Sequence, residues 1–269
     1  MLECVVNVSE GRDAAVLRRL DAVAGPDLLD RHSDPHHHRS VLTLVGEAAP
    51  RAVAEEAVRS IDLRRHTGVH PRLGVVDVVP FVPLEGSAMT DAVRARDEFA
   101  TWMAEHLQVP CFLYGAERSL PDVRRHAFVD LAPEAGPPRP HPSAGATAVG
   151  ARPVLVAFNV WVTGGPPAAA QAVARRARGT HVRALGLVVG DRLQVSMNLI
   201  DPGSVGPLDA YEHVARLAAD EGLRAEGAEL VGVVPEPVLS KVPRSRWAEL
   251  DLSEERTIEA RLALRGSGG

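Results

Sequence analysis

Two histidines four residues apart, His66 and His70, stand in the stretch His66-Thr-Gly-Val-His-Pro-Arg-Leu-Gly74, directly before an apolar run that carries prolines at 80 and 83. A proline-stiffened turn there would present an imidazole, His70, and a guanidinium, Arg72, at the edge of a buried strand. Side chains that act on ligands are commonly mounted in this way. Imidazole moves protons near neutral pH, and guanidinium grips carboxylates with a two-pronged fork. The plain alternative is that His70 only caps the strand.

Two other clusters have chemistry-bearing types at close spacing. In Asp30-Arg-His-Ser-Asp-Pro-His-His-His-Arg39, charged and imidazole side chains crowd a single turn. His36, His37 and His38 read as metal ligands, as a solvated turn or as a substrate-facing loop. Adjacent residues converge poorly on one ion, because metal ligands are usually separated along elements and fixed by outer hydrogen bonds. In His141-Pro-Ser-Ala-Gly-Ala-Thr-Ala-Val-Gly-Ala-Arg152, small residues admit a flat ligand close to the backbone, and Arg152 can meet a carboxylate. Gly145 and Gly150 lack the spacing and the preceding strand of a dinucleotide fingerprint. No phosphate-binding Gly-x-x-x-x-Gly-Lys-Ser/Thr loop, Gly-x-Ser-x-Gly elbow or Cys-x-x-Cys pair occurs.

The elements that must carry these clusters follow from periodicity. Residues 2–9 alternate as a strand, 12–24 form a helix stopped by Gly25-Pro26, and 28–32 and 40–45 are strands around the histidine-rich turn. Helix 52–63, strand 74–82, helix 91–106 and strand 111–115 follow. The five prolines within 131–143 exclude a regular element and predict a stiff loop or linker. Alternation then restarts: strand 154–162, helix 168–178, a hairpin of 182–189 and 193–199 across Gly190-Asp191-Arg192, helix 208–221 and strand 230–234. A tail helix is expected to open at Ser253. The order β-α-β-β-α-β thus occurs twice. The fold expected is α/β (an α+β sandwich) with two ferredoxin-like subdomains, 1–150 and 151–269.

Composition narrows the class. The chain has 269 residues, 45% apolar and 24% charged, with a formal net charge of −5, which argues against nucleic acid or an anionic membrane as the main partner. Lys241 is the only lysine, so the cationic work falls to arginine. Cys4 and Cys111 lie in apolar, strand-like runs and read as small core residues of a reducing compartment. No apolar run approaches the ~18 residues needed to span a bilayer, and no charged-then-apolar leader opens the chain, so a cytoplasmic protein is expected.

Eight short patterns then line up in order. They are Glu3-Cys-Val-x-Asn-x-Ser-Glu-Gly11, the Asp34-Pro-x-His-x-Arg-Ser40 turn, His70-Pro-Arg-Leu-Gly-x-x-Asp-Val-x-Pro-Phe-Val-Pro83, Leu113-Tyr-Gly115, Gly145-Ala-Thr-Ala-Val-Gly-Ala-Arg152, Ala157-Phe-Asn159, Gln194-Val-Ser-Met-Asn-Leu199 and Glu229-Leu-Val-Gly-Val-Val-Pro235. Together they resemble the glutamate formimidoyltransferase family. The resemblance implies two α/β subdomains with a folate groove between them, a homodimer, and transfer of a formimidoyl group from N-formimidoylglutamate to tetrahydrofolate as co-substrate, with no metal. It places the catalytic acid/base on His70. It places the folate loop on Gly136, Pro137, Pro138, Arg139, Pro140, His141, Pro142, Ser143, Ala144 and Gly145. Arg39, Arg72 and Arg152, with His32, are the expected contacts to the carboxylate-rich substrates. The chain departs from the usual family pattern at Val69, at His38 and in a shortened segment after Gly115. A folate-binding paralogue with another one-carbon donor, such as a formyl group, and a folate-binding module without turnover therefore stay open beside the main reading.

Overall fold

The computed structural model describes residues 1–68 and 71–266. The chain divides into two compact units, Met1–Pro153 and Val154–Gly269.

The first unit opens with strand β1 (Leu2–Val8), helix α1 (Ala14–Ala24), strands β2 (Leu28–Asp34) and β3 (Arg39–Val45), helix α2 (Ala48–Ser60) and strand β4 (Val76–Pro83). Helix α3 (Met89–Leu107), strand β5 (Cys111–Tyr114), helix α4 (Leu120–His126) and strand β6 (Thr147–Ala151) complete it. Its six strands lie in the order β2-β3-β1-β4-β6-β5. β1 runs antiparallel to β3 and β4, whereas β6 is parallel to both β4 and β5. Alternation along the strands sorts the side chains by face. Cys4, Val6, Leu42, Leu44 and Phe81 meet Leu17 and Leu20 of α1, Val53 and Ala57 of α2 and Phe99 and Met103 of α3 in one core. A smaller cluster of Phe112, Tyr114, Val123 and Ala148 packs α4 against the β5–β6 end.

The second unit repeats the first six elements: β7 (Val156–Thr163), α5 (Pro167–Ala177), β8 (Val182–Val189), β9 (Arg192–Leu199), α6 (Pro207–Asp220) and β10 (Arg224–Val231). Its sheet order, β10-β7-β9-β8, places the second, third, first and fourth strands side by side, as β2-β3-β1-β4 do in the first unit. This is the ferredoxin-like arrangement expected from the sequence. Phe158, Val160, Val195, Leu199 and Leu230 bury their face under Ala170 and Val173 of α5 and Val214 of α6. Short helix α7 (Glu236–Leu239) and helix α8 (Ile258–Gly266) follow.

Several expectations shift. Of the two readings of the proline-rich 131–143 segment, loop or linker, the structure gives the loop. Its Ala135 bridges to Cys111 beside β5, and the chain continues into β6 inside the first unit. β6 is masked in the sequence because Thr-Ala-Val-Gly-Ala is short and three of its five residues are alanine or glycine, types depleted in strands; it is a strand because it is sandwiched between two others. Helix α4 also went unread, although Ser119 and Asp122 form a capping box at its start. The tail helix opens at Ile258 rather than Ser253, whose side chain caps nothing. The last strand begins at Arg224, six residues earlier than expected, because antiparallel pairing with β7 recruits the polar Arg224–Gly227 stretch. Both cysteines are buried and free.

Candidate active site

At one end of the first sheet three stretches meet: the end of β1 with Ser9–Gly11, the β2–β3 turn, and the segment from His66 into β4. The register between β1 and β4 slips here. Asn7 pairs with Val78 but Val8 pairs with Val76, so Asp77 is the extra residue of a β-bulge. Bulges re-aim a side chain out of the regular ladder. The Asp77 side chain, fully buried, accepts from Arg39 Nη1 at 2.5 Å and from Arg124 Nη2 of α4 at 2.6 Å. The Leu73 backbone N–H donates to its other oxygen at 2.7 Å. Arg39 also donates to Asn7 Oδ1 from Nη2 at 2.7 Å. Burial alone would push the Asp77 carboxyl up. The Arg39 and Arg124 guanidiniums outweigh it and hold the group down at about 2. Arg72 lies close enough to feel both Asp77 and Arg124, and burial holds its pKa below the ordinary value. Three guanidiniums around one carboxylate leave the cluster positive, the charge that a dicarboxylate ligand requires.

The histidines form a second layer. His38 Nε2 donates to Glu10 Oε1 at 3.1 Å, and Glu10 also takes the backbone N–H groups of Gly11, Arg12 and Asp13. Burial pushes Glu10 up, but those amides and the His38 imidazole hold its carboxyl below the usual range. The His38 ring stacks on His66 with centroids 4.0 Å apart. His66 Nδ1 accepts the Gly68 N–H at 3.1 Å, so the proton sits on Nε2, which donates to the His38 carbonyl at 2.9 Å. Burial, set against that carbonyl bond, lowers the His66 pKa. His66 therefore does more than end the preceding 3-10 turn at Leu63–Arg65: it ties the following segment to the histidine-rich turn. His36 and His37 turn their backbone N–H groups to Asp34 Oδ1. Among the described residues, no group of three or more His, Cys, Asp or Glu side chains is arranged to hold a metal ion.

His70 and Val69 lie outside the described residues, but their flanks are placed. Arg72 Nη2 donates to the Gly68 carbonyl at 2.6 Å and so links the two flanks directly. His32, on β2, is paired with Val41 and shares its sheet face with Asn7, the face turned away from the helices. The 141–145 end of the folate loop is stitched to the same segment. Leu63 N–H meets Ser143 O and Val75 N–H meets Ala144 O, both at 2.8 Å. Gly74 and Gly145 bridge directly, and a Cβ on either would fall 2.3 Å from a carbonyl oxygen of the other strand. His141 Nδ1 accepts the Ser143 and Ala144 N–H groups, which leaves Nε2 as the protonated, donating nitrogen. Pro138, Arg139 and Pro140 between the two anchored ends are exposed. Arg152 is apart from this assembly. It follows β6 at the opposite end of the sheet, donates to Pro153 O at 2.9 Å and lies beside the buried Tyr114, whose hydroxyl burial pushes up to about 12. The structure thus brings together Arg39, Arg72, His32's face of the sheet and the end of the 136–145 loop, but not Arg152. Sequence reading missed Arg124, whose helix the capping box could have revealed.

The second unit carries a polar cluster on the sheet face away from its helices. Asn159 Nδ2 and Gln194 Nε2 each donate to Glu229 Oε2 at 3.0 Å. Gln194 is 0% exposed, and its own Oε1 is buried without a hydrogen-bond partner. An orphaned buried acceptor costs about 1–3 kcal/mol.

Comparison with known proteins covers most of the chain. Residues 1–152 match the formiminotransferase domain, N-terminal subdomain, and residues 156–263 match the formiminotransferase domain. A glutamate formimidoyltransferase of Streptococcus pyogenes serotype M1 is 34% identical over 273 residues, spanning 90% of this chain and 91% of the relative. One from Thermoplasma acidophilum is 34% identical over 276 residues, 91% of each. The formimidoyltransferase-cyclodeaminase of Sus scrofa is 35% identical over 273 residues, which cover 87% of this chain but only 50% of that protein.

Proposed function

The chain belongs to the formiminotransferase family, and from that premise we propose that it transfers the formimidoyl group of N-formimidoyl-L-glutamate to tetrahydrofolate. The observation that carries this reading is similarity over nine-tenths of both chains to proteins that bear the glutamate formimidoyltransferase name.

The chemistry suits the residues. N5 of tetrahydrofolate attacks the amidine carbon, a tetrahedral carbon forms, and the bond to the glutamate nitrogen breaks. N5 must lose a proton, and the departing amine must gain one. His70 is the proton carrier in this reading, since a histidine can serve as base and then as acid near neutrality. The Arg72–Gly68 bond and the His66–His38 stack support it by holding the residues on either side of His70. The positive cluster of Arg39, Arg72 and Arg124 around Asp77 supports capture of the donor's carboxylates, with His32 on the adjoining face. Arg152 is read as a separate contact to a folate carboxylate.

Residues 136–145 are read as the folate loop. Its ends are fixed by backbone hydrogen bonds and its prolines restrict the middle, so little ordering is needed when a ligand docks. Tetrahydrofolate acts here as co-substrate. The family resemblance also supports a homodimer working in the cytoplasm, and sedimentation equilibrium tests the assembly.

The deciding experiment is an assay of 5-formimidoyltetrahydrofolate formation from N-formimidoylglutamate and tetrahydrofolate. Product formed at a steady rate, in proportion to enzyme, is expected. Absence of product, with folate still bound in a thermal-shift titration, would leave only a binding module.

A further inference from the structure

We propose that the second unit binds a small organic anion, a carboxylate or a phosphate ester on an apolar body, in a cavity between the end of α5 and the start of α6. Such a site lies wholly within that unit. It uses none of the residues assigned to formimidoyl transfer.

Small side chains make the cavity. Helix α5 ends at Ala177, the chain passes through Arg178–His181 into β8, and Ala210 lies in the first turn of α6. These alanines, with Val182, Met197 and Val205, line a space of about 360 Å³, large enough for a small molecule. Met197 of β9 pairs with Ala184 and Phe158, so its side chain lies on the helix-facing side of the sheet. Ala177, Met197 and Ala210 are all buried. An unfilled apolar hollow forfeits dispersion contacts, which the body of a ligand would restore.

The polar lining is cationic and stands at the exposed edge. Asp209, His213 and Arg216 follow one another at helical spacing of four and three, along one stripe of α6. Arg216 has Glu212 and Asp220 one turn away on either side, yet both acids are taken: Glu212 by Arg246 at 3.1 Å and Asp220 by Arg176 at 2.6 Å. Among the described residues, neither Arg216 nor His213 has a hydrogen bond or an ion pair. Arg178 Nε donates to the Ala184 carbonyl at 2.9 Å, which anchors the guanidinium and leaves its terminal nitrogens to donate. His181 turns Nδ1 to Asp201 at 3.5 Å, with Nε2 remaining. Asp209, the carboxylate on the lining, accepts the Gly206 N–H at 3.0 Å as part of the turn that opens α6.

Two guanidiniums and two imidazoles against one engaged carboxylate select an anion, and guanidinium suits carboxylate and phosphate oxygens equally. An exposed arginine without a partner is ordinary by itself. Here it borders a buried apolar hollow, and the pairing of the two fixes the ligand's shape: a charged head at the mouth and carbon behind it. A bare inorganic ion would leave the hollow unfilled, and a neutral hydrocarbon would leave the cations unanswered. The shared chemistry is the anionic head, and the choice of probes tells a phosphate ester from a carboxylate.

Methyl NMR of the full chain reads occupancy directly, because Met197 is the only methionine of the second unit, with Met1, Met89 and Met103 in the first. Met197→Leu identifies its ε-methyl signal. Titration with phenyl phosphate and with phenylacetate should move that signal saturably, with a Kd on the order of 1 mM for ligands of this size. Movement with both shows that either head is accepted, and movement with one names the head. Inorganic phosphate and benzyl alcohol, each lacking half of the match, should bind at least roughly tenfold more weakly. Arg216→Glu should weaken anion binding roughly 10- to 100-fold, and His213→Ala, a second variant should the first fail to fold, roughly threefold to tenfold. No saturable movement with either organic anion up to about 10 mM would overturn the inference. So would equal binding of inorganic phosphate or benzyl alcohol, or an affinity unchanged in the folded variants.

Discussion

Arg39 and Asp77, 38 positions apart, are joined by a hydrogen-bonded ion pair at 2.5 Å, with Asp77 the extra residue of the β1–β4 bulge. Asp77 is wholly buried, so its charge is tolerable only because Arg39 and Arg124 both face it. Removing the carboxylate would leave two guanidiniums pressed together. Asp77→Asn is therefore expected to destabilise the protein by about 3–5 kcal/mol. Denaturant unfolding measures this, and a loss below ~1 kcal/mol would show that the pair is dispensable.

The same pair sets an acid limit. The Asp77 carboxyl is held at about 2, below its ordinary value of 3.8. A depressed carboxyl stabilises the fold fully above the unfolded value, and that contribution is lost as pH falls through the folded one. The stability difference between wild type and Asp77→Asn should accordingly narrow by about 2 kcal/mol between about pH 5 and pH 2. A difference that stays constant over that window would contradict the assignment.

His70 and His66 should separate in kinetics. If His70 carries the proton, His70→Ala lowers turnover roughly 10²–10⁴-fold and leaves folate affinity within a few-fold. His66→Ala removes the stack on His38 and the acceptor for the Gly68 N–H, so it should loosen the turn and lower turnover roughly tenfold, since small misplacements of a catalytic group are costly. Equal losses in the two variants would argue that His70 has no special part in proton transfer.

Gly145 tests the folate loop. Its φ of +72° is strained for other residues, and an added Cβ would lie 2.3 Å from the Leu73 carbonyl oxygen. Gly145→Ala should therefore cost about 1–3 kcal/mol from backbone strain alone, and the clash adds to it. The loop end should detach from the Leu73–Val75 backbone, and the melting-temperature rise produced by 5-formyltetrahydrofolate should shrink. An unchanged rise would place folate elsewhere.

Periodicity by itself determined the two β-α-β-β-α-β repeats, because alternation and helical spacing are local and the apolar positions of Cys4, Val6, Leu42 and Leu44, or of Phe158, Val160 and Val195, admit only one buried face. Residue types alone also marked the His66–Arg72 segment and Arg39 as chemistry-bearing. What only the tertiary structure decided is which of these meet. A one-residue bulge aims Asp77 at Arg39, a short helix whose start was overlooked delivers Arg124, and β6 becomes a strand because β4 and β5 flank it. Asn159, Gln194 and Glu229 come from three separate strands and converge through register. Register and bulges depend on pairing between distant segments, which local propensity does not encode, and a slip of one residue would send each of these side chains to the other face.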